Sequence, residues 1–178
     1  ATRVVGYIPL YRNQDDMYSK IDFSATTHVN VSFVNPDDKT GDFLGFTYSG
    51  QWSAFKKHHQ SLINKKIKVL ASIGGGGAEH KENYLHLMKD ENKTAFISKL
   101  MDFARDEKLD GIDVDLEGDL VNTPLYNPFV LELADSVKTQ GLLYTAAVAS
   151  WNGDKISKES LDAYDFINLM AYDETGPW

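Results

Sequence analysis

The chain has 178 residues, 42% hydrophobic and 25% charged, which places it with ordinary globular proteins and gives it enough length for one domain with a substantial core. Its formal net charge of −8, without any Lys/Arg-rich block, disfavours nucleic acid or an anionic membrane as partner. The absence of Cys excludes disulfides, thiolate zinc sites and thiol catalysis, and no apolar run approaches the roughly 18 residues that a membrane span needs. Short apolar runs rich in Val, Ile, Tyr and Phe recur along the chain. In order they cover 3–11, 28–34, 67–74, 111–117, 142–150 and 166–173, each of strand length and bounded by turn residues. A turn-rich stretch, 35–50, is expected to be an exposed loop.

Helical periodicity fills several of the gaps. In 51–64, Trp52, Phe55, Leu62 and Ile63 fall near one stripe. In 93–108, Phe96, Ile97, Leu100, Met101, Phe103 and Ala104 form a broad apolar face. In 127–140, Asn127 is a candidate N-cap, Pro128 suits the first helical position, and Gly141 can end the helix. Strands alternating with helices predict right-handed βαβ units and a parallel sheet. No linker or low-complexity segment divides the chain, so residues 1–178 read as one unit.

The fourth run, DGIDVDLEG (110–118), chooses between two parallel architectures. Strand period two puts Asp113, Asp115 and Glu117 on one face, with neighbours roughly 6 to 7 Å apart. In an open doubly wound sheet those acids would be buried against helices. In a (β/α)8 barrel they would point into a polar interior that opens at the strands' C-terminal ends, while Ile112, Val114 and Leu116 meet the helices. The barrel is the expected fold. Glu117, last in the strand, would lie at the catalytic end. Asp115 beneath it would share a proton or raise its neighbour's pKa, leaving Glu117 protonated near neutral pH as a general acid. A carboxylic acid beside carboxylates is what glycoside hydrolysis requires.

The competing readings are weaker. A solvated acidic edge strand would show the same alternation. An EF-hand loop would start with the same acids, but its twelfth position is Pro124 instead of a bidentate Glu. His28, His58, His59, His80 and His86 show no ligand spacing and read as surface or packing residues. Gly74–Gly77 follows a strand without a dinucleotide or Walker register, so it reads as a loop whose backbone approaches something closely. Tyr172 in MAYD is, taken alone, more ordinary as core than as catalyst.

Together these motifs resemble the family 18 glycoside hydrolases, the chitinases and endo-β-N-acetylglucosaminidases. DGIDVDLE matches the DGxDxDxE signature, SIGG (72–75) the SxGG signature, MAYD (170–173) the MxYD signature, and GY (6–7) resembles the first strand. The resemblance runs the length of the chain. It implies a retaining, substrate-assisted hydrolysis of β-1,4 bonds next to N-acetylglucosamine, in which the 2-acetamido carbonyl attacks the anomeric carbon. By position, Glu117 would protonate the leaving oxygen, Asp115 would hold the acetamido N–H, Asp113 would hold the shared proton and tune Asp115, and Tyr172 would bond the acetamido oxygen. Tyr7 and Ser72 would support Asp113, while Gly74, Gly75, Met170 and Asp173 would line the sugar site.

The implied partner is an N-acetylglucosamine-containing polysaccharide or glycan, with no metal or organic cofactor, no nucleic acid and no membrane. The chitobiose core of N-glycans is the alternative substrate, and a non-catalytic glycan-binding relative the alternative function. A secreted, periplasmic or cell-surface location is expected. The pattern departs from the family at Asn168, where Gln is common, and at Gly76, where many chitinases carry an aromatic. Six strands are legible where the barrel has eight. The expectation is therefore that 1–178 is the N-terminal portion of one catalytic barrel, completed by a further C-terminal segment, with Trp178 in a loop near the cleft.

Overall fold

A computed structural model describes residues 2–12 and 17–172. Six parallel strands form one sheet: β1 (Val5–Pro9), β2 (His28–Ser32), β3 (Lys68–Gly74), β4 (Gly111–Asp115), β5 (Leu143–Ala149) and β6 (Phe166–Met170). The main helices between them are α1 (Met17–Lys20), α2 (Ser49–Asn64), α3 (Lys81–Leu87), α4 (Asp90–Asp106), α5 (Tyr126–Thr139) and α6 (Lys158–Ala163). All six expected strands are present.

Strand order in the sheet is the order in the chain, β1 to β6. Each crossover therefore moves in the same direction, and right-handed crossovers that never reverse put every helix on one face. A doubly wound sheet needs a reversal, and there is none. The sheet also curls. Five inter-strand spacings of ~4.8 Å would hold β1 and β6 roughly 24 Å apart if flat. Yet Asn168 Nδ2 on β6 donates to the Tyr7 hydroxyl on β1 at 3.1 Å, and the Arg3 guanidinium sits 4.9 Å from the Phe166 ring centroid. The architecture is a partial (β/α)8 barrel, concave on its polar side.

The helix-facing side chains are apolar. Val69, Ala71, Ile73, Ile112, Val114, Tyr144 and Ala146 are buried in one core with the faces of α2, α4 and α5. The expected stripe of α4 is inside at Phe96, Ile97, Leu100, Met101 and Ala104, with Phe103 partly covered. On β6 the helix-facing side chains are less covered by the described residues: Leu169 is 62% exposed and Ile167 37%. Among the described residues β1 and β6 are the two edges of the sheet.

Three expectations need correction. The 35–50 loop is not simply exposed, since Phe43 and Phe46 are buried. Phe43 packs on Phe96 and Phe103, and Phe46 meets Phe103 edge-on, so the loop covers α4 with aromatic rings. Asn127 does not cap α5, which begins at Tyr126 with Leu125 at the cap position. Its Oδ1 instead accepts from the Ser157 N–H and the Ser160 hydroxyl, both at 2.9 Å, a partner 30 residues away that no local rule could supply. Gly141 does end the helix, with φ +69° one residue past the C-cap Gln140. Finally, the β4 ladder stops at Asp115 and not at Glu117. Glu117 keeps an extended backbone (φ −118°, ψ 168°), so the alternation of faces continues to it.

Candidate active site

Register builds the floor of the site. Ser72, Asp113 and Thr145 are ladder partners on β3, β4 and β5, so their side chains stand in one row on the concave face. Asp113 is fully buried there. Its Oδ2 accepts from Ser72 Oγ at 2.8 Å and from the Tyr7 hydroxyl at 2.9 Å, and its Oδ1 accepts from Thr145 Oγ1 at 2.5 Å. Burial pushes the Asp113 pKa up, and these three donors pull it partway back. Burial and the same carboxylate push the Tyr7 hydroxyl well above its ordinary range, so it stays a donor.

One pleat higher, Asp115 is buried and lines the cleft. Burial, then the charge of Glu117, then that of Asp113, raise its pKa to about 8. Its Oδ1 has no hydrogen-bond partner among the described residues. Glu117, half-buried at the mouth, is also shifted up by burial, and the Asp115 carboxyl facing it offsets part of that shift. Both carboxyls are thus shifted toward the protonated form in the free protein, as the sequence suggested for Glu117.

The glycine loop explains how β3 and β4 stay in step at their ends. Gly75 N donates to the Asp115 carbonyl at 2.7 Å. A Cβ on Gly74 (φ +103°) would lie 2.4 Å from that carbonyl oxygen, and one on Gly75 (φ +92°) would lie 2.5 Å from the Phe33 ring. Only glycine fits either position. Asn35 clamps the loop with two bonds, Nδ2 to Gly74 O at 2.8 Å and Gly74 N to Oδ1 at 2.7 Å, and Tyr84 donates to the same Oδ1 at 2.6 Å.

Above the row lies a cleft of about 540 Å³ lined by Tyr7, Tyr11, Phe33, Gly76, Asp115, Glu117, Trp151, Asn168, Met170 and Tyr172, among others. That volume suits a small-molecule site. Of the residues singled out from sequence, Tyr7, Asp115, Glu117, Met170 and Tyr172 line the cleft, Ser72 and Asp113 lie in its floor, and Gly74 and Gly75 brace its wall. Asp173 and Trp178 lie outside the described residues. Asn168 turns its amide to the Tyr7 hydroxyl.

Sequence reasoning missed Thr145, Asn35, Tyr84, Tyr11, Phe33 and Trp151. Asn35 and Trp151 each follow closely on the C-terminal end of a barrel strand, a position that flags functional residues. Thr145 carried no signal beyond its place on an inward-facing strand position. His28 and His59 are packing residues, as read: His28 meets the Phe166 ring edge-on at 5.2 Å and His59 is buried beside Phe55. Among the described residues no group of three or more His, Cys, Asp and Glu is arranged to hold a metal ion. No helix there is long and apolar enough to cross a membrane.

Comparison with known proteins agrees with this geometry. The chain is 40% identical to the family 18 chitinase ChiB from the chitin utilization locus of Flavobacterium johnsoniae, with a TM-score of 0.86 over 99% of this chain and 56% of that one. It is 25% identical to Chitinase B of Serratia marcescens, over 98% of this chain and 43% of that protein. A family 18 chitinase of Cycas revoluta, solved in complex with (GlcNAc)3, superposes with a TM-score of 0.75 at 26% identity, over 98% of this chain and 56% of that one. The chain thus spans about half the length of the relatives it matches. The sequence profile described as Glycosyl hydrolases family 18 matches residues 3–178, and the chain belongs to that family.

Proposed function

We propose that this chain carries the acid–base machinery of a retaining, substrate-assisted hydrolase of β-1,4-linked N-acetylglucosamine, acting on chitin or chito-oligosaccharides. The observation that carries the reading is the column Asp113, Asp115, Glu117, rising from a buried, fully hydrogen-bonded carboxylate to a half-exposed one at the mouth of an aromatic cleft. Chitinase names among the relatives, and the (GlcNAc)3 bound by one of them, support the substrate class.

The chemistry follows from where the proton rests. Asp115 holds it in the free protein. An acetamido N–H placed against Asp115 stabilises its ionised form. The proton then passes to Glu117, which faces the glycosidic oxygen and protonates it as the bond breaks. The acetamido carbonyl oxygen attacks the anomeric carbon, and the Tyr172 hydroxyl steadies that oxygen while Asp115 balances the positive charge on the ring nitrogen. Glu117, now a carboxylate, takes a proton from the water that opens the cyclic intermediate. Asp113, held in place by its three donors, adds to the rise of the Asp115 pKa and so keeps Asp115 from ionising early. Export from the cell, or display on its surface, is the setting in which a polymeric substrate would be met.

Glu117→Gln tests the reading. The amide keeps the shape of the side chain and cannot deliver a proton, so hydrolysis of labelled chito-oligosaccharides should fall at least about a hundredfold while binding persists. Turnover near the starting level would remove Glu117 from the acid role. Equal hydrolysis of substrates with and without the N-acetyl group would refute substrate assistance. Cleavage of a high-mannose glycopeptide in preference to chito-oligosaccharides would move the substrate to the N-glycan core.

A further inference from the structure

The main cleft does not end at the carboxyl column. Past Tyr11, Phe33 and Gly76, which line both spaces, it adjoins a second cavity of about 350 Å³ walled by Asn35, Tyr48, Glu79 and His80. Asp115, Glu117 and Tyr172 line the first space and not the second. A sugar chain whose reacting unit sits on the carboxyl column can place another unit here, away from the bond that breaks. That placement rests on the proposed function.

The second cavity is distinguished by its electrostatics. Tyr11, Phe33 and Tyr48 all line it, and the Tyr11 and Phe33 rings are stacked with centroids 6.2 Å apart and planes 12° apart. Aromatic faces carry the negative part of the ring quadrupole and attract cations. The Glu79 carboxylate belongs to the same wall. It is folded back on the loop: a Cβ on Gly77 would lie 2.6 Å from Glu79 Oε1, so a side chain at that position would push the carboxylate away.

Little competes for that carboxylate. His80 Nε2 lies 3.9 Å from Glu79 Oε1, at the outer limit of an ion pair. Among the described residues no Lys or Arg lines the cavity. The Arg12 guanidinium lies 5.8 Å from the Tyr11 centroid and is not part of the wall. A carboxylate set among aromatic rings suits a cation.

The cation that a chitin chain can itself offer is the ammonium group of a deacetylated unit, glucosamine. Substrate assistance needs the N-acetyl group on the reacting sugar alone, because only that carbonyl attacks the anomeric carbon. Other positions along the chain accept a free amine, and a carboxylate facing one of them favours it. We infer that the Glu79 cavity is a specificity site for an ammonium-bearing sugar, and that the protein prefers partially deacetylated chitin with glucosamine at one fixed distance from the bond that is cut.

The test measures kcat/KM for the protein and for Glu79→Gln and Glu79→Asp on two substrates, partially deacetylated chitosan and fully acetylated chito-oligosaccharides. The Glu79 side chain is 64% exposed, so its attraction is that of a surface ion pair, and the ratio of chitosan to acetylated substrate should fall roughly three- to fivefold in Glu79→Gln. Glu79→Asp keeps the charge and should retain part of the preference. Added salt should lower the ratio in the starting protein and leave it flat in Glu79→Gln. An unchanged ratio in Glu79→Gln overturns the inference, as does a ratio in the starting protein that ignores salt. If the starting protein hydrolyses neither substrate, the proposed function falls on its own, and calorimetry decides the inference. The glucosamine tetramer should then bind the starting protein more tightly than Glu79→Gln by the same factor; equal or undetectable binding in both overturns it.

Discussion

Replacing Asp115 with Asn asks directly where the proton of the carboxyl column rests. Burial first, then Glu117 and Asp113, raise the Asp115 pKa from 3.8 to about 8. Between those two values the native state keeps a proton that the unfolded chain has released. Its contribution to stability is complete below the unfolded value and is lost as pH rises toward the folded one. The slope is at most about 1.4 kcal/mol per pH unit for one proton. From about pH 5 to about pH 8 the protein should lose up to ~4 kcal/mol that the Asp115→Asn variant keeps. The amide retains a donor toward Glu117, so the substitution removes the titration and little of the packing. Urea unfolding across that pH range measures both proteins. His28 and His59, whose pKa values burial lowers, give slopes of the opposite sign, but they are common to both and cancel in the difference. Parallel stability curves would show that Asp115 ionises at an ordinary pH, and the proton transfer to Glu117 would lose its basis.

Thr145→Val keeps the shape of the floor and removes one of three donors to a buried carboxylate, so about 2 kcal/mol of stability should be lost in chemical denaturation. A neutral result would mean that Asp113 is satisfied without it. Gly74→Ala forces a Cβ to within 2.4 Å of the Asp115 carbonyl in a left-handed backbone. At least about 2 kcal/mol of stability and most of the hydrolytic activity should go together, because the end of β4 must shift; wild-type-like melting and turnover would contradict the clamp. Phe43→Ala should cost about 3 kcal/mol by equilibrium unfolding if the 35–50 loop is core, and a cost under roughly 0.5 kcal/mol would return that loop to the surface.

Much of this protein was legible before any coordinates. Period two in β1 to β6 and the apolar stripe of α4 follow from which side chains must leave water, and that is a local property of the chain. The acids of β4 also argued for a barrel by themselves, since three carboxyls on one face need a polar interior. What failed to show was everything set by contacts distant in sequence. Asn127 has the chemistry of a cap, yet its oxygen is taken by Ser157 and Ser160. Phe43 and Phe46 sit in a turn-rich stretch whose composition reads as exposed, and only the neighbouring α4 makes a place for their rings.

The proton shows the same division most sharply. Sequence alone places Asp113, Asp115 and Glu117 in a row, and with it the class of chemistry, because strand geometry leaves no choice of face. Which of the three keeps the proton depends on desolvation and on donors from elsewhere. Tyr7 on β1, Ser72 on β3 and Thr145 on β5 converge on Asp113 only because the sheet curls and its register sets them side by side. They pull the Asp113 pKa back against the burial that raises it, while Asp115, buried between two acids, is pushed up to about 8. Electrostatic energy depends on distance and burial in three dimensions, and neither is written in residue spacing.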